Sequence, residues 1–107
     1  GHSKCGAIKG ACDDVRMGKL TQLLAKVQPA ILAVKSATPG IAKTDRAFAE
    51  AVTQRNVELS MDSILQHSEI LRKLYDEGKI GIAGGYYDIE TGAVDFMQEH
   101  LPLAQSA

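Results

Sequence analysis

Residues 79–97 read KIGIAGGYYDIETGAVDFM, and within them the apolar period changes. Before Gly78 the apolar residues recur at helical spacing; from Lys79 they alternate. Ile80 and Ile82 alternate with Gly81 and Ala83, and Gly84-Gly85-Tyr86-Tyr87 follow. Alternation is the period of a strand, and glycines inside a strand mark the close approach of another backbone. Glu90-Thr91-Gly92 supplies a short turn, and Ala93 to Met97, with Val94 and Phe96 in phase, makes the return strand. An apolar run such as Ile80 to Ala83 suits the inside of a larger, mostly parallel sheet. Two strands alone are marginal. The expectation is an α/β chain with further strands on its N-terminal side.

Upstream, the pattern is helical. Gly6 to Val15 reads as a short helix weakened by Gly6 and Gly10. Leu20, Leu23, Leu24, Val27, Ile31, Leu32 and Val34 have helical spacing. Pro29 must sit at a break or in a first turn, which divides this stretch into about Lys19 to Val27 and Pro29 to Val34. Ser36 to Lys43 is linker-like, with a Pro39-Gly40 turn signal. Thr44 or Asp45 is expected to cap a long helix carrying Phe48, Ala51, Val52 and Leu59, then Val57, Met61, Ile64 and Leu65. His67-Ser68 interrupts it. Ser68 is a good N-cap for a second helix with Ile70, Leu71, Leu74 and Tyr75, which Gly78 ends.

Composition narrows the function classes. A chain of 107 residues with 45% hydrophobic and 23% charged residues is a single ordered domain rather than a disordered segment. A net charge of -1 offers no basic field for nucleic acid. No apolar run approaches the ~20 residues of a membrane span. Position 1 is not Met, and a motif is already under way in the first five residues. The chain is therefore expected to be part of a longer one.

The densest chemistry lies in residues 1–9, GHSKCGAIK. His2 and Cys5 carry imidazole and thiolate, the preferred zinc ligands, and their spacing lets one turn present both. Cys5 stands where the following helix begins, and exposed N–H groups there favour the thiolate. The plain alternative is a chance pair, since a tetrahedral site needs at least one more ligand. Cys12 reads as a small core residue, Asp13-Asp14 as a solvated helix end, His67 as a capping or surface residue, and His100 as part of a polar tail. None makes a convincing third ligand. A Cys5–Cys12 disulfide would exceed the ~7 Å Cα limit across a helix, and no Cys-x-x-Cys supports a thiol-redox module.

These residues resemble the zinc motif of the β-class carbonic anhydrases, in which Gly, His, two residues, Cys and Gly close a core strand. Asn56-Val57, Ser68-Glu69-Ile70-Leu71 and the run from Gly78 to Val94 follow the order of that family's C-terminal half. The resemblance implies the C-terminal part of a β-carbonic-anhydrase-like fold: one partial domain over 1–107, mostly helices, with one core strand and an edge hairpin strand. It implies carbon dioxide hydration by zinc hydroxide, with Zn2+ as cofactor, bicarbonate as product, and a homodimer or higher oligomer. His2 and Cys5 match two of three protein zinc ligands. Gly6 matches a glycine whose backbone lines the substrate pocket. Tyr87 matches a tyrosine of a non-catalytic bicarbonate pocket; its plainer reading is a core tyrosine. The family's Cys-x-Asp-Ser-Arg motif, with the remaining ligand and the catalytic Asp–Arg pair, is absent from these residues and is expected upstream. The resemblance therefore predicts an inactive chain in isolation. The alternative is a non-catalytic helical subdomain that self-associates.

Overall fold

A computed structural model describes residues 1–40 and 46–100. In chain order it has α1 (Gly6–Cys12), α2 (Leu20–Ala25), α3 (Gln28–Ala37), α4 (Arg46–His67), α5 (Glu69–Asp76), β1 (Ile82–Tyr87) and β2 (Val94–His100). The cap expected at Thr44 or Asp45, and the tail beyond His100, lie outside the described residues.

α1 is shorter than expected. It ends at Cys12 because Asp14 turns into the left-handed region at φ 56°. Val15 N–H then reaches the Gly10 carbonyl at 2.9 Å and Asp14 N–H the Ala11 carbonyl at 3.2 Å. This is the paired closure of a Schellman motif, with Asp in the place glycine usually takes. α3 begins with Pro29 in its first turn, as expected, but continues through Ser36 and Ala37 into the presumed linker. Its end is set by Pro39, which pushes Thr38 to φ -132°. α5 matches its reading at both ends. The Ser68 hydroxyl accepts from Leu71 N–H at 3.2 Å. Gly78, at φ 76°, lets Lys79 N–H reach the Leu74 carbonyl at 2.9 Å.

The core lies where α1, α2, α3 and α4 meet. It consists of Ile8, Ala11, Cys12, Leu24, Val27, Ala30, Ile31, Val34, Phe48 and Val52. Phe48 and Val52 are fully enclosed. Met61 and Leu65 are buried further along α4, while Ile64 faces solvent.

β1 and β2 pair antiparallel, from Ile82 opposite His100 to Tyr87 opposite Val94, with a bulge at Gly84/Gly85. β2 thus runs past the expected Met97, and β1 starts at Ile82 rather than Ile80. Asp88 shapes the turn: its carboxylate accepts from Glu90 N–H at 2.9 Å, and Gly92 takes φ 78°. On its other side β1 is joined by the chain's first residues. Tyr87 N–H donates to the Gly1 carbonyl at 2.8 Å, and Ser3 N–H donates to the Tyr87 carbonyl at 2.9 Å, a parallel bridge. β1 is therefore flanked on both sides at its Tyr87 end, and β2 on one side only. No helix among the described residues is long and apolar enough to cross a membrane.

Candidate metal centre

The parallel bridge ends in a tight turn, and the turn delivers Cys5 to α1. Lys4 takes φ 54°, an uncommon backbone for a residue with a side chain. Cys5 then returns to an extended conformation as the N-cap of α1, and its carbonyl accepts the first helical hydrogen bond, from Lys9 at 3.1 Å. His2 sits on the strand side of this turn, and Cys5 on the helix side.

Both side chains line one cavity of about 390 Å³ between the turn, α4 and β1. Its apolar wall includes Ile8, Val57, Met61, Ile64 and Ile82. His2 Nδ1 lies 2.9 Å from the Ser3 carbonyl. A carbonyl only accepts, so this contact places a hydrogen on Nδ1, the tautomer that leaves Nε2 for a metal. Metal-ligating histidines are commonly oriented in this way. Cys5 is half-buried and also borders a second cavity of about 470 Å³, lined by Lys4, Lys9, Cys12, Arg46 and Tyr86 among others.

The other candidates stand apart from this pair. Gly6 is exposed at the start of α1, with nothing within 4 Å of a side chain added there. Tyr87 is 43% exposed, so the core reading does not hold for it. Its backbone, not its ring, meets the ligand turn. Cys12 is buried, and neither cysteine is in a disulfide. Asp13 and Asp14 are exposed. His67 ends α4 with its ring against the Ser63 hydroxyl and carbonyl. The side chain of His100 lies outside the described residues. Among the described residues no group of three His, Cys, Asp or Glu side chains is arranged to hold a metal ion. His2 and Cys5 border one cavity, and their imidazole and thiol are donor types that suit zinc.

Two neighbours escaped the sequence reading. Ser3 is buried, and its hydroxyl oxygen accepts from Ile89 N–H at 3.0 Å. Tyr86 lies on the opposite face of β1 from Tyr87, on the side of Ser3. Burial pushes the Tyr86 phenol above the usual tyrosine value, and the carboxylates of Glu50 and Asp88 add to it. Arg46 and the hydrogen bond from Ser3 oppose that shift. The strand alternation signalled that only one of the two tyrosines would point this way.

Comparison with known families matches residues 1–94 to the family model described as carbonic anhydrase. No curated protein matches the chain.

Proposed function

Because the chain belongs to the β-class carbonic anhydrase family, we propose that it hydrates carbon dioxide to bicarbonate around a zinc ion held in part by His2 and Cys5. The observation that carries this reading is the shared cavity, which an exposed His2 and a half-buried Cys5 both border. When bound, zinc supplies the Lewis acidity that makes a water nucleophilic near neutral pH. The remaining protein ligand is assigned to a Cys-x-Asp-Ser-Arg segment outside these 107 residues. The same segment would bring the catalytic Asp–Arg pair.

The chain's own residues have separate tasks. The Ser3 carbonyl fixes the His2 tautomer so that Nε2 is the basic nitrogen. Val57, Met61 and Ile82 give the cavity an apolar wall suited to an apolar gas. Gly6 is assigned to the substrate pocket, and Tyr87 to a bicarbonate pocket, in the completed protein. That protein is read as a homodimer or larger oligomer.

Native mass spectrometry with a carbon dioxide hydration assay tests this. The full-length protein is expected to carry one zinc per chain and to be active. His2→Ala and Cys5→Ser are expected to lose both properties, and residues 1–107 alone to hydrate carbon dioxide poorly or not at all. Zinc retained in both variants would overturn the assignment. A second reading, a non-catalytic subdomain that self-associates, draws on the exposed side chains of Ile70 and Phe96. A zinc-free, inactive full-length protein would favour it.

A further inference from the structure

We propose that Ser3 is a positioning residue for the metal ligands, through which the β1–β2 hairpin holds His2 and Cys5 on one cavity wall. The proposal rests on the zinc reading above. Ser3 lies between the two ligands and is only 8% exposed. Each of its polar groups is engaged. Its N–H donates to the Tyr87 carbonyl at 2.9 Å. Its carbonyl accepts from His2 Nδ1 at 2.9 Å. Its hydroxyl oxygen accepts from Ile89 N–H at 3.0 Å. No buried side-chain polar atom among the described residues lacks a partner.

These bonds converge on a turn that does not hold its shape unaided. Lys4 sits at φ 54° without the freedom of glycine. The Cys5 N-cap receives no side-chain hydrogen bond, and α1 has only seven residues, two of them glycine. The outer anchor, the ion pair of Lys4 with Glu90, is half exposed on both sides and screened by water. The buried hydroxyl is the anchor that water cannot replace. Without it, Ile89 N–H loses its acceptor, and the carbonyl that fixes the His2 ring is free to rotate. Ligand orientation of this kind is worth about 10- to 100-fold in metal affinity.

The test compares Ser3→Ala with Ser3→Thr, which keeps the hydroxyl, in the full-length protein. Zinc affinity is read by competition with a chromophoric chelator. The His2 ring tautomer is read from its nitrogen chemical shifts without metal. Ser3→Ala is expected to bind zinc at least about tenfold more weakly and to show mixed tautomers; Ser3→Thr is expected to restore both. Wild-type affinity with a single wild-type tautomer in Ser3→Ala overturns the proposal. If the wild type binds no zinc, the zinc reading falls, while the ring comparison still decides the role of Ser3. Where Ser3→Ala does not fold, Ser3→Cys fills the space with a poorer acceptor. A mixed His2 ring there supports the proposal, and an unchanged ring overturns it.

Discussion

Tyr86 and Tyr87 are neighbours in one strand, yet their surroundings differ because successive strand residues point to opposite faces. Tyr87 meets solvent, whereas Tyr86 faces the Ser3 hydroxyl and the carboxylates of Glu50 and Asp88. Its raised value means that the folded protein holds the phenol proton more tightly than the unfolded chain does. The stability from this difference is whole below the ordinary tyrosine value near pH ~10, and it is lost as pH climbs through the higher folded-state value. Tyr86→Phe is therefore expected to unfold with a shallower alkaline limb than the wild type. Urea midpoints taken from about pH 9 to 11 check this; parallel limbs would refute it.

At the scale of elements, α1 and α5 end in the same closure but with different residues in the left-handed position: Asp14 at φ 56° and Gly78 at φ 76°. A side chain there costs about 1–2 kcal/mol, least for Asn and Asp. Gly78→Ala is expected to lower stability by about 1 kcal/mol, and Asp14→Gly to raise it by about 0.5 kcal/mol or more. Denaturant unfolding of both variants reads the two signs. A loss for Asp14→Gly would show that its carboxylate matters more than its backbone. The same contrast explains what the sequence made legible. Ser68 and Gly78 announce their helix ends because their chemistry is local. The end of α1 was not legible, since Asp14 looks like any solvated acid. The extent of α3 was hidden because Ala37 and Ser36 suit a helix as readily as a linker, and only the residue before Pro39 sets the stop. His2 and Cys5 were visible as a pair three positions apart. Ser3 was not, since its partner Ile89 lies 86 residues away.

For the molecule as a whole, two surfaces of opposite character matter. Inside, Phe48 is 0% exposed and joins α4 to the core of the other helices. Phe48→Ala is expected to cost about 3–5 kcal/mol, read as a shift in the unfolding midpoint at unchanged slope; a loss under ~1 kcal/mol would show that α4 is not what holds the core. Outside, Val94 and Phe96 stand in phase on the edge strand at 52% and 69% exposure. Such an edge invites another chain. Phe96→Glu is expected to shift the light-scattering mass toward the monomer, and an unchanged mass would place any interface elsewhere. The parallel bridge between Gly1–Ser3 and β1 has a consequence in time rather than space. The hydrogen bond that ties Ser3 to Ile89 beside it spans 86 residues, which a ribosome takes roughly 4–17 s to add. Throughout that interval the nascent His2–Cys5 turn has no hairpin to lean on. The shape of this turn is thus a late event of biosynthesis, complete only in a chain whose β1 has already been made.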